Sequence, residues 1–249
     1  MFKKKFAAMI AAALMTMSAS SAFAAFADLE LIRVYYDRTG AEVATDLGNV
    51  KTILDNAKQP GGVTLDSTYG FGTLTSGYAV YFALDRTTGV SDLWATGKVG
   101  VDSVILGGST GLTSLKSGSS SMYALYNTQG GTEYTGAAAA TSSYKNKLSA
   151  TQGTLATSIN NASRLNTEAS LASVIGSGTG SAVQALYFWE NALTTVAAEK
   201  IGVLAATITT NADGTSTIVA APTPIPPAFL LMGSGLLGMV GLRRKSKNA

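Results

Sequence analysis

From residue 29 to 106 the chain alternates short apolar, aromatic-rich runs with clusters of Thr, Gly, Asp and Asn. That rhythm predicts strands joined by turns. The runs are Leu29–Asp37, Ala41–Asp46, Gly77–Leu84, Ser91–Lys98 and Asp102–Leu106. Near the far end, Ile201–Thr210 and Thr215–Ala220 flank Asn211-Ala212-Asp213-Gly214, residue types that favour a hairpin turn. Several runs are apolar at successive positions, as in Leu29-Glu30-Leu31-Ile32-Arg33-Val34-Tyr35-Tyr36. Strands of that kind are covered on both faces. The expected fold is mainly β, sandwich-like with several hairpins, or a sheet covered by a helix.

One apolar pattern recurs. Tyr81-Phe82-Ala83-Leu84-Asp85-Arg86-Thr87-Thr88-Gly89 aligns without gaps to Met122-Tyr123-Ala124-Leu125-Tyr126-Asn127-Thr128-Gln129-Gly130, and Val34-Tyr35-Tyr36-Asp37-Arg38-Thr39-Gly40 is a looser copy. Each reads as a strand entering a polar turn. The spacings of 48 and 41 residues are unequal, which argues for recurrent hairpins over a propeller or solenoid. Residues 137–175 differ: they are rich in Ala, Ser, Thr and Asn, and Tyr144, Leu148, Leu155, Ile159 and Leu165 fall near helical spacing. A helical segment is expected there. Gly176–Gly180 reads as a loop, and Ala182–Leu193 is too uniformly apolar for period to decide between strand and helix.

The two ends follow other rules. Lys3, Lys4 and Lys5 precede a short apolar stretch, Phe6–Met17, and two small-x-small sites, Ala22-Phe23-Ala24 and Ala25-Phe26-Ala27. This is the layout of a secretory signal peptide over residues 1–27, with cleavage expected after Ala24 or Ala27. The expected exported domain, 28–220, runs into a Pro-rich linker, 221–227, that neither continues a helix nor donates to a sheet. Residues 228–242 (AFLLMGSGLLGMVGL) carry no charge. As a helix they span about 22 Å, short of a hydrocarbon core of about 30 Å, so a short single transmembrane helix is expected. Arg243, Arg244 and Lys245 would stop transfer and hold residues 243–249 in the cytoplasm.

Charge is distributed accordingly. Seven of the 18 basic residues lie in the two ends, leaving 11 against all 15 acidic residues in between. The net +3 therefore belongs to the targeting ends, and no nucleic-acid partner is expected. Cys and His are both absent. Disulfides, thiolate metal sites and a Ser-His-Asp triad are excluded by composition.

The tail as a whole, a Pro-rich motif, a short Gly/Leu-rich helix and an Arg cluster, resembles the PEP-CTERM sorting signals of Gram-negative bacteria. The resemblance covers about residues 222–245 and rests on Pro224-Ile225-Pro226-Pro227-Ala228 and Met232-Gly233-Ser234-Gly235-Leu236-Leu237-Gly238. It is similar to the Pro-Leu-Pro-Ala variant, since the name-giving Pro-Glu-Pro is missing. The resemblance implies Sec-type export, signal peptidase, processing by a membrane exosortase near Pro224, Ile225, Pro226 and Pro227, and a destination at the cell surface or in extracellular polysaccharide or biofilm matrix.

Candidate chemistry in the middle is thin. Ser142-Ser143-Tyr144-Lys145 has the Ser-x-x-Lys spacing of a serine activated by a lysine, without companion motifs. Gly176–Gly180 lacks the third glycine of a dinucleotide fingerprint and the Lys-Ser/Thr of a P-loop. Asn211-Ala212-Asp213-Gly214 resembles part of a calcium loop but has Thr209 where the first acid belongs. The sequon Asn161-Ala162-Ser163 carries little weight in a bacterial chain. Trp94, Trp189, Tyr35, Tyr36, Tyr78 and Tyr81 could stack on sugar rings if exposed in a row. No catalytic residue, metal or cofactor is expected, and the reading is a non-enzymatic surface or matrix protein. The alternatives are a carbohydrate- or matrix-binding module and, behind it, a secreted hydrolase built on an acid pair.

Overall fold

The computed structural model describes residues 25–66, 69–87, 92–97, 99–100, 103–107, 110–137, 140–149, 168–175, 178–190 and 199–222. Among these described residues, eleven strands form one antiparallel sheet. They are β1 Glu30–Tyr36, β2 Ala41–Asn49, β3 Val63–Leu65, β4 Tyr78–Asp85, β5 Asp92–Gly97, β6 Ser103–Gly107, β7 Glu133–Ala137, β8 Ala169–Ser170, β9 Ala182–Trp189, β10 Glu199–Thr210 and β11 Ser216–Ala220. Nine of them follow the path β3-β11-β10-β9-β5-β4-β1-β2-β7, while β6 joins β10 and β8 joins β4. Helices are α1 Val50–Asn56, α2 Thr110–Tyr126, α3 Tyr144–Lys147 and α4 Ala172–Ile175, with a 3-10 turn at Asn127–Gln129.

The sheet is covered on both faces, as the doubly apolar strands require. One face presents Ile32, Val34 and Tyr36 of β1 with Val80, Phe82 and Leu84 of β4, and packs against Met122, Tyr123 and Tyr126 of α2 and Tyr144 and Leu148 around α3. The other face presents Leu31 and Tyr35 with Ala79, Tyr81 and Ala83. Its cover comes from the sheet itself. Arg33 of β1 donates to Ser216 Oγ of β11 at 2.9 Å, and Tyr81 Oη of β4 lies 2.7 Å from Thr210 Oγ1 of β10. These strands are several positions apart along the path, so the sheet curls until its parts face each other. Helix α1 closes the remaining side, with Val50 and Ile53 in the inner cluster and Ala57 O accepting from Ala220 N at 3.1 Å. The fold is thus mainly β, as expected, but it is one continuous curled antiparallel sheet where a sandwich was expected.

All seven expected strands are present to within a few residues, and the undecided run at 182 is strand β9. One expectation needs correction. Met122–Gly130 is the end of α2 and the 3-10 turn, where the repeat predicted a strand. The helical segment expected around 137–175 is, among the described residues, two single turns, α3 and α4, beside strand β8; its middle, 150–167, lies outside the described residues. The principal helix, α2, lies earlier in the chain. No helix among the described residues is long and apolar enough to cross a membrane. Residues 1–24 and 223–249, and with them the expected transmembrane helix, lie outside the described residues.

Candidate functional site

The repeated Asp-Arg-Thr strand ends turn out to be one local device used twice. After β1, Asp37 Oδ1 accepts from Thr39 N at 2.8 Å and from Gly40 N. After β4, Asp85 Oδ1 accepts from Thr87 N at 3.1 Å. In both, a side-chain carboxylate mimics the backbone acceptor that closes a turn. The following arginine then lies on a tyrosine: Arg38 is 4.5 Å from the Tyr78 ring and Arg86 is 4.9 Å from the Tyr123 ring. Because β1 and β4 are antiparallel neighbours, the two devices sit at opposite ends of the sheet.

The first device lines a polar cleft of about 400 Å³ with Thr75, Ser76, Tyr78 and Ser170. Gly77 in its wall has φ 150°, and a Cβ there would strike Tyr36 O. Gly77 O accepts from Leu171 N at 2.8 Å, which ties the α4 segment to the opposite wall. The cleft offers hydroxyls, one guanidinium, the Asp37 carboxylate and one half-buried tyrosine, all groups able to hydrogen-bond a polar ligand. The second device is anchored more firmly. Arg86 pairs with Asp28 and donates to Ser119 Oγ at 3.2 Å and Ser120 Oγ at 2.6 Å. It fastens the N-terminal segment and α2 to the sheet.

Among the described residues, two charged side chains are fully buried. Glu42 of β2 is fully buried and accepts from Tyr126 Oη at 2.7 Å, Tyr144 N at 3.0 Å and Lys145 N at 3.2 Å. Burial outweighs these donors and raises its carboxyl to about 7. Arg33 is fully buried and donates to Gly214 O at 2.8 Å, Ser216 Oγ and Thr45 Oγ1, with its guanidinium 4.5 Å from the Tyr35 ring. Sequence reading passed over both. The signal was there: a charge interrupting a strand that is otherwise apolar on both faces.

The sugar-stacking candidates divide sharply. Trp94, Trp189, Tyr35, Tyr36 and Tyr81 are buried in the core, and only Tyr78, at the cleft, keeps partial exposure. Ser142 precedes the N-cap Ser143, whose side chain accepts from Asn146 N at 3.2 Å, so Ser142 and Lys145 do not share a helix. Asp213 spends its carboxylate on Thr215, accepting from its N at 2.9 Å and its Oγ1 at 2.7 Å, which makes Asn211–Gly214 a hairpin turn. Among the described residues no three acids group to hold a metal. Ala27 belongs to the folded region, its O accepting from Glu30 N at 3.3 Å. Ala24, Pro224, Ile225, Pro226, Pro227, Arg243, Arg244 and Lys245 lie outside the described residues. No family model, no curated protein and no solved structure matches the chain.

Proposed function

We propose that this chain is an exported cell-surface or extracellular-matrix protein, non-enzymatic, delivered by a signal peptide and a PEP-CTERM-like sorting tail. The observation that carries the reading is the division of the chain. Residues 1–27 carry Lys3, Lys4 and Lys5, an uncharged apolar stretch and the two Ala-x-Ala sites, residues 221–245 carry the prolines, an uncharged run and Arg243, Arg244 and Lys245, and all 15 acidic residues lie between them. The tail acts as a transient anchor. Its apolar run is short for a stable span, and its glycines lower helix propensity. The prolines keep the backbone extended where a membrane peptidase needs it, while Arg243, Arg244 and Lys245 hold the C-terminus inside. Epitope tags on both sides of residues 222–227, followed by fractionation, test this. Separation of the tags is expected, and their retention together in full-length inner-membrane protein would refute sorting. Alanine at Pro224, Pro226 and Pro227 should leave the protein membrane-bound and unprocessed.

The Tyr78 cleft favours a second reading, a module that binds polysaccharide. Arg38→Ala should then reduce retention on extracellular polysaccharide at least tenfold, with an unchanged circular dichroism spectrum showing the fold intact. Unchanged retention removes the cleft from consideration.

A further inference from the structure

The two tandem cleavage sites are not equivalent to the fold. Phe26 lies between them, and it is 1% exposed, in the cluster that joins the sheet to α2. Its ring centroid is 5.1 Å from that of Tyr126. Its N–H donates to Asp46 Oδ2 at 2.9 Å, and its carbonyl accepts from Asn127 Nδ2 at 3.3 Å. Its φ is 56°, a left-handed conformation that a bulky residue adopts only where its surroundings fix it. Cleavage after Ala27 would discard this residue and open a cavity between β2 and α2. Cleavage after Ala24 keeps it.

The acceptor of the Phe26 N–H is unusual in its own right. Asp46 also accepts from Gly48 N at 2.8 Å and shares a hydrogen bond with the Glu30 carboxyl. Desolvation and the neighbouring Asp46 raise the Glu30 carboxyl, and burial raises that of Asp46, so ionising both at once is costly. The charged groups around the pair are Asp28 and Arg86, bound to each other, with Tyr123 facing from α2. Asp85, next to Arg86, is taken by Lys51 at 3.7 Å. Among the described residues the pair has no cation of its own.

We propose that the mature chain begins at Ala25, and that the α-ammonium released there seats beside the Asp46–Glu30 carboxyl pair and locks the N-terminus onto the sheet. The proposal rests on the export reading above. One water adds across the Ala24–Ala25 bond. Ala24 leaves as a carboxylate and Ala25 keeps an ammonium, with no net change in protons. Successive backbone nitrogens are at most about 3.7 Å apart, so the new ammonium lies within about 7 Å of Asp46 Oδ2. An opposite charge at that range favours the ionised carboxyls, and they in turn favour the ammonium. Processing therefore supplies the cation that the acid pair lacks, and the fold is completed by export.

The test expresses the full chain in an exporting host and sequences the N-terminus of the exported protein. Ala25 is expected. Asp28 overturns the inference and leaves the export reading standing, whereas an intact Met1 on exported protein overturns the export reading itself. The α-amine of the mature protein, followed by NMR after reductive methylation with ¹³C, should titrate at least one pH unit above an Asp46→Asn variant. Equal titration in the two overturns the lock. Phe26→Ala should lower the melting temperature of the exported protein by about 10 °C, and Phe26→Leu by less. Unchanged melting in both would place Phe26 outside the mature core and overturn the choice of site.

Discussion

Arg33 shows what a single residue contributes to this fold. A guanidinium buried without a carboxylate is costly, and three acceptors and an aromatic face offset that cost. Those acceptors come from β2, the Asn211–Gly214 turn and β11, so one planar fork ties together strands remote in the path. Lysine places a single point charge there and cannot reach Thr45 and Gly214 together. Arg33→Lys should cost about 2–3 kcal/mol in denaturant unfolding, with an unchanged denaturant slope. Glu42 sets a pH dependence. Its folded carboxyl, at about 7, binds its proton more tightly than the unfolded chain does. Its contribution is therefore fully present below about pH 4.5 and is lost as pH rises through about 7. The size is about 3 kcal/mol at most. Stability measured from pH 4.5 to 8 should fall, and Glu42→Gln should flatten that fall. A stability that rises over this window would contradict the assignment.

Among the elements, most strands were legible, whereas the short strands β3, β7 and β8 and the helices α1 and α2 were not, for physical reasons. A strand such as Tyr78–Asp85 announces itself by a continuous apolar run closed by an Asp-Arg-Thr turn. Helix α2, Thr110–Tyr126, is built from Thr, Gly and Ser, poor helix formers. Its apolar end, Met122-Tyr123-Ala124-Leu125-Tyr126, has the same composition as a strand, and packing against the sheet decides its conformation. Short α1 escaped notice because its signal is one residue. Asn49 caps it by accepting from Lys51 N at 3.1 Å and Thr52 N at 3.2 Å. Asn49→Ala should cost about 1 kcal/mol. Gly202 in β10 has a different explanation: a Cβ there would collide with the Trp189 indole on the adjacent strand. Gly202→Ala should cost about 1–3 kcal/mol by overpacking, read as a lower denaturation midpoint. The Tyr78 cleft was partly legible, since Tyr78 and the Asp37-Arg38-Thr39 turn stood out. Its far wall, Ser170 with Ala172, is brought there by the β4–β8 pairing, which no local pattern announces.

At the scale of the molecule, a self-covering sheet lies between the two segments of the proposed export route. The fold takes its N-terminal core residue from inside the expected signal-peptide region, and its last strand, β11, ends two residues before Pro222. If the chain is processed as proposed, folding and processing depend on the same short segments at each end. The most direct measurement of this account is the intact mass of the protein recovered from outside the inner membrane. The account predicts one species that begins at Ala25 and ends between Pro222 and Pro227. A species that retains Met1, or one that carries Arg243, Arg244 and Lys245 at its C-terminus, would contradict it.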